Sequence, residues 1–91
     1  MQVEFLSKFN RDLDRIHHQS VRKSIIKVID EVKVARTLNE VSNIKKLKGF
    51  RSAFRIRLGE YRIGVFVEGQ TVEFARILHR KEIVTSPKYD T

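Results

Sequence analysis

The chain has 91 residues, is 41% hydrophobic and 33% charged, and contains no cysteine. That length suits one domain spanning 1–91, and the missing cysteine excludes a disulfide scaffold and a thiolate zinc site while suiting a reducing cytoplasm. A formal net charge of +8 points to a polyanionic partner, and no apolar run approaches the roughly 18–20 residues that span a bilayer, so neither a signal peptide nor a membrane partner is expected.

Residues 2–6 (QVEFL) read as a short strand with Val3 and Phe5 on one face. In SKFNRDLDRIH, Phe9, Leu13 and Ile16 recur at helical spacing, with Ser7 placed as N-cap. A second helix over about Ser20–Ala35 carries Val21, Ile25, Val28, Ile29 and Val32 on one stripe. The link HHQS is short, so the helices should form an antiparallel hairpin, with His17 and His18 structural at its turn. Thr37-Leu-Asn-Glu40 fits a capping box, and Asn43–Gly49 follows as a connector bearing Lys45, Lys46 and Lys48.

From Phe54 the apolar period changes to two, giving strands at about 53–58, 61–67 and 71–79. Gly59-Glu60 and Gly69-Gln70 have the composition of two-residue type II′ loops. The predicted class is α+β: an N-terminal strand, an antiparallel helical hairpin, then a three-stranded antiparallel meander that the first strand joins.

Charge is unevenly spread. Residues 1–44 carry eight Lys/Arg against six Asp/Glu, whereas residues 45–91 carry eleven against five. With Gly59-Glu60 as the loop, Leu58 pairs with Tyr61, Arg57 with Arg62 and Arg55 with Gly64. One face then collects Phe54, Ile56, Leu58, Tyr61, Ile63 and Val65, while the other collects Arg55, Arg57 and Arg62. Like charges opposed across strands cost up to about 1 kcal/mol. Guanidinium forks in that arrangement suit a phosphate. Continuing the register through Gly69-Gln70 pairs Arg62 with Ile77 and Glu60 with His79. His79 joins the arginine face, Arg80 follows at the strand end, and Arg76 turns to the opposite side, where it needs a bulge or an edge. A histidine there is suited to proton transfer at neutral pH. No histidine–carboxylate spacing suggests a metal site, and no glycine-rich phosphate loop is present.

The order strand, helical hairpin, IKKLKGF, FRIRLGEYRIGV and ILHRKEI resembles the RelE/ParE superfamily of bacterial toxins from type II toxin–antitoxin pairs, with RelE-like mRNA interferases the nearer branch. The resemblance runs over essentially the whole chain. It implies a ribosome-dependent endoribonuclease that enters the A site of the 70S ribosome and cuts mRNA. The reaction so implied is attack of a ribose 2′-hydroxyl on the adjacent phosphate, leaving a cyclic phosphate and a 5′-hydroxyl, with no metal or cofactor. Arg55, Arg57, Arg62 and Arg80 match the family's catalytic basic positions, and Lys45, Lys46, Lys48, Arg51 and Lys81 surround them as candidate RNA and ribosome contacts. The family's C-terminal tyrosine position holds Val84 here, so proton transfer falls to His79, or to Tyr89 if the tail folds back, or activity is reduced. The alternatives are a ParE-like DNA gyrase inhibitor, disfavoured by the full arginine set, and a catalytically silent RNA- or partner-binding module. A basic face beside exposed apolar helix surface also fits a small acidic antitoxin that folds on binding.

Overall fold

The computed structural model describes residues 1–81. In chain order it contains β1 (Gln2–Phe5), α1 (Ser7–Asp14), α2 (Gln19–Val34), a 3-10 turn (Leu38–Glu40), β2 (Ile44–Lys46), β3 (Ala53–Leu58), β4 (Tyr61–Glu68) and β5 (Thr71–His79). The strands form one five-stranded sheet in the order β1-β5-β4-β3-β2. The α+β reading holds with two revisions. The first strand enters the sheet parallel to β5, making the sheet mixed. The expected connector at Asn43–Gly49 contains an edge strand, with Ile44 opposite Ile56 and Lys45 opposite Arg55. Asn43, in the left-handed region at φ 61°, turns the chain into that strand.

The core lies on one face of the sheet. Ile25, Val28, Ile29 and Val32 of α2 and Phe9 of α1 are buried together with Ile56, Ile63, Val65, Val72, Phe74 and Ile77. Phe5, Phe9 and Phe74 meet with ring centroids 5.4–5.6 Å apart, joining β1 and α1 to β5. A leucine or phenylalanine side chain buried this way contributes about 1.5–3 kcal/mol.

The helix ends are capped differently from expectation. Ser7 is the first residue of α1 and Leu6 occupies the cap position, with no side-chain cap bond. Beyond Asp14 the last turn tightens: the N–H of Ile16 donates to the Leu13 carbonyl at 3.1 Å, so Ile16 still reaches the core after the helix stops. Arg22 of α2 reaches back to donate to the carbonyls of Leu13 and Ile16 at 2.6 and 2.9 Å, placing a cation at the carbonyl end of α1. The Met1 ammonium does the same for α2, donating to the carbonyls of Val32, Lys33 and Ala35. Thr37 makes no capping bond; Glu40 instead accepts from the Arg36 N–H at 3.0 Å.

Both hairpin loops have the predicted composition and geometry. Gly59 and Gly69 each sit at φ +58°, while Glu60 and Gln70 do not have positive φ, as a type II′ loop requires. The β3–β4 register is the one read from sequence, Leu58 to Tyr61 through Ala53 to Phe66. The β4–β5 register is not. It starts as expected from Glu68 opposite Thr71 to Val65 opposite Phe74, then slips by one, so that Gly64 faces Arg76, Arg62 faces Leu78 and Tyr61 faces His79. A bulge at Ala75 absorbs the extra residue.

Asp12 of α1 sits against that bulge. Strand β1 pairs with β5 only as far as Phe74, so beyond it, among the described residues, the outer edge of β5 has no strand partner and α1 lies against it. The Asp12 carboxylate accepts from the Ile77 N–H at 2.9 Å and from Arg76 Nε at 2.8 Å and NH2 at 3.4 Å. The side chain of Asp12 is 11% exposed and that of Arg76 39%. Removing the carboxylate leaves the buried Ile77 N–H without this acceptor and takes from Arg76 its two bonds to Asp12. Asp12→Ala is therefore expected to lower stability by about 2 kcal/mol, discounting the solvent-screened arginine. Asp12→Asn, which retains an acceptor for Ile77, should lose less. Urea midpoints of the two variants check the order, and equal losses would contradict it.

Candidate functional site

Side chains alternate across a strand, so burying Ile56, Ile63 and Val65 drives their neighbours to the reverse face. The observed pairs lay that face out in rungs. Arg57, Arg62 and Leu78 form one; Lys45, Arg55, Gly64 and Arg76 form the next; Ala53, Phe66, Glu73 and Glu4 form a third. Gly64 lies between Arg55 and Arg76 on the cationic rung and is buried. Charge therefore divides along the strands. The end near the β3–β4 loop is cationic, and the other end carries Glu4, Glu73 and Glu68 around Phe66, which is 42% exposed.

At the cationic end the geometry is specific. Arg62 folds over its own hairpin, with NH1 donating to the carbonyls of Gly59 at 2.8 Å and Tyr61 at 2.9 Å. The N–H of Arg80 donates to the Glu60 carbonyl at 2.7 Å, which brings Arg80 to the hairpin tip. Its NH1 lies 3.5 Å from Glu60 Oε2, an exposed pair of small energetic weight. Partial burial lowers the pKa of Arg62, and the charges of Arg57, Arg55 and Arg80 lower it further, with Glu60 opposing. Folding thus forces like charges together, and an anion seated among them would add an attraction to each cation that offsets those repulsions.

Of the residues singled out in the sequence, Arg55, Arg57, Arg62 and Arg80 come together at the hairpin. Lys45, expected in a connector, joins them on the Arg55 rung. Lys46 pairs with Phe54 and takes the opposite parity. Lys46, Lys48 and Arg51 instead line a shallow depression with Leu47, Gly49 and Phe50 at the sheet edge. Arg76, which the unbroken register sent to the core side, is carried by the bulge onto the Gly64 rung. His79 moves the other way. It pairs with Tyr61, whose face is the core face, and the two rings meet edge-on at 5.3 Å. The Lys81 N–H approaches His79 Nδ1 at 3.2 Å. A backbone N–H can only donate, so Nδ1 accepts and a neutral ring carries its proton on Nε2. Val84 and Tyr89 lie outside the described residues. Among those described, no cluster of His, Asp and Glu could hold a metal ion, and no helix is long and apolar enough to cross a membrane.

Comparison with known proteins gives consistent matches. Residues 3–84 match the family model of the ParE toxin of type II toxin–antitoxin system, parDE. The curated toxin RelE3 of Methanocaldococcus jannaschii is 43% identical over 84 residues, covering 91% of this chain and 94% of that protein. The RelB–RelE antitoxin–toxin complex from Methanococcus jannaschii superposes with a TM-score of 0.80 at 40% identity, over 90% of this chain and 95% of that one. The fold recurs at 18% identity in the archaeal RelE–RelB complex from Pyrococcus horikoshii, with a TM-score of 0.71 over 87% of this chain and 93% of that one. With an archaeal example among these neighbours, the fold alone does not assign the chain to bacteria.

The repulsion has a measurable consequence. Arg57→Gln removes one charge from the cluster and is expected to stabilise the fold by a few tenths of a kcal/mol at low ionic strength. That gain should vanish in high salt, where exposed charges are screened. Denaturation at both salt concentrations measures it, and a salt-independent change would mean that the arginines do not repel one another.

Proposed function

The chain belongs to the ParE toxin family of type II toxin–antitoxin systems, within the RelE/ParE superfamily, and we propose that this toxin is a ribosome-dependent endoribonuclease that cuts mRNA and is held inactive by a cognate antitoxin. The observation that carries this reading is the convergence of Arg55, Arg57, Arg62 and Arg80 on one hairpin, with little carboxylate to offset them. In the proposed reaction a ribose 2′-oxygen attacks the adjacent phosphorus and loses its proton. The P–O5′ bond breaks, the departing 5′-oxygen gains a proton, and a 2′,3′-cyclic phosphate remains. No water is consumed and no metal is required. Arg62, pinned by two carbonyls, and Arg57 opposite it stabilise the extra negative charge of the phosphorane. Arg55 and Lys45 hold the strand on the neighbouring rung, and Arg80 leaves Glu60 for the phosphate. Charge stabilisation of this kind contributes when donors are fixed before the reaction.

Proton transfer has two candidates. His79 precedes Arg80 at the strand end, and in its imidazolium form it would give a proton to the departing 5′-oxygen and return to the neutral ring. Tyr89 is the other. Lys46, Lys48, Arg51 and Lys81 supply contacts to RNA outside the reacting phosphate.

The antitoxin reading is supported by relatives solved as RelB–RelE complexes. It is also supported by Ile26 and Val34 of α2, which are 52% and 80% exposed. An acidic segment that covered these and the arginines would bury apolar area and pair charge at once. A ParE-like action on DNA gyrase is the second reading, favoured by the family model that matches.

Induced expression with mapping of transcript 5′ ends tests the choice. Cuts in phase with codons support the endoribonuclease, and DNA damage without such cuts supports the gyrase reading. Arg62→Ala is expected to slow cleavage on purified ribosomes about 100-fold or more. An Arg62→Ala/Arg80→Ala protein that stays folded and fully toxic would remove the hairpin from the mechanism.

A further inference from the structure

Helix α1 carries Lys8 and Arg11, and its C-cap residue is Arg15; at spacings of three and four the three form one stripe along the helix. All three are exposed. The apolar side of the same helix, Phe9 with Leu13, faces the core, roughly 130° around the axis at 100° per residue. The stripe and Arg76 line one shallow cleft between α1 and β5, in which the sole carboxylate is Asp12. Asp12 is already engaged, accepting from Arg76 and from the Ile77 N–H. Among the described residues none of the three α1 cations lies in an ion pair. Asp14, the helix's other carboxylate, sits roughly a quarter turn from the stripe.

We propose that Lys8, Arg11 and Arg15 form a second binding site for the phosphate backbone of RNA, continuous with the hairpin cations through Arg76. This rests on the RNA-cutting reading above and extends it to a part of the molecule that does no chemistry. Three features favour RNA. The cleft has no apolar lining residue, so it offers nothing to anchor a lipid chain or an apolar peptide side chain. Neighbouring cations on a helix stand about 5–6 Å apart at Cβ, within reach of successive phosphates of a strand. Arg76 shares its rung with Arg55 and Lys45, so one polyanion can follow cations from the sheet face, around the edge that β1 leaves uncovered, onto α1. Asp12 orients Arg76 at that corner and keeps it from collapsing onto the sheet.

The test uses the full chain and purified 70S ribosomes, with affinity measured across a salt series. In Lys8→Gln/Arg11→Gln/Arg15→Gln, affinity should fall about tenfold or more. The slope of log K against log salt should flatten by about 2, since each lost phosphate contact removes about 0.7–0.9. The charge-conserving Lys8→Arg/Arg11→Lys/Arg15→Lys should bind as wild type does. Undiminished affinity and slope in the glutamine variant, with wild type still cutting mRNA, would overturn the α1 site alone. So would an equal loss in the charge-conserving variant, or a loss of binding to a polyglutamate probe with ribosome binding intact, which would assign the stripe to an acidic protein. Failure of wild type to bind ribosomes at all would overturn the endoribonuclease reading together with this extension.

Discussion

The two-residue period of a β-strand ties the core of this protein to its charged face. Ile56, Ile63 and Val65 are buried against two helices, and no strand can bury them without presenting Arg55, Arg57 and Arg62 on the reverse. Slipping the hairpin by one residue would bury three guanidinium groups, each costing several kcal/mol without a partner. Hydrophobic burial thus enforces a charge arrangement that electrostatics alone opposes. Gly59 supports the register from the other side, because its positive φ fits the first position of a two-residue type II′ loop.

The bulge at Ala75 is the second decision in the fold, and it redistributes side chains between faces. Without it, His79 would stand among the arginines and Arg76 would sit over the core with no acid to meet it. With it, Arg76 joins the cationic rung and pairs with Asp12, and His79 packs its ring against Tyr61. Helix α1 is therefore more than a lid on the core. It supplies the acceptor that the interrupted strand edge lacks, and it fixes the local geometry on which the last rung depends.

Much of this was legible in the amino-acid sequence, for identifiable reasons. The β3–β4 register follows from one Gly-Glu pair between alternating residues, and that register alone brings Arg55, Arg57 and Arg62 together. The helices followed from spacings of three and four. The bulge left no mark on its own strand, since no glycine or proline flanks Ala75, and the glycine beside it, Gly64, stands across the ladder on β4. The one sign of trouble was that an unbroken register stranded Arg76. Strand β2 escaped because three residues with a single apolar side chain carry no period. The expected N-caps failed because Ser7 is already inside α1, with Leu6 at the cap position, and Thr37 makes no side-chain cap bond; the Met1 ammonium on the end of α2 is a partner more than thirty residues away in the chain. At the site, the arginines were readable as a group, whereas the place of Lys45 required knowing that a strand lay beside β3. The comparisons with RelE relatives establish the toxin class; the chemistry proposed for it is what the family resemblance implies, and the arginine geometry supports it.

The division of the sheet's reverse face, arginines at one end and Glu4, Glu68 and Glu73 at the other, acts at a distance as well as in contact. Separated opposite charges give the molecule an electric dipole along its strands, in addition to its net charge. A polyanion's field then exerts a torque as well as a pull, turning the hairpin end forward while the protein is still diffusing. Beyond a Debye length of about 8 Å at physiological salt that torque fades, so the alignment is completed in the last solvent layers before collision. A toxin with the same net charge spread evenly would arrive as often but in arbitrary orientations. Fewer of its encounters would be productive, and its association rate would depend less on which end carries the charge.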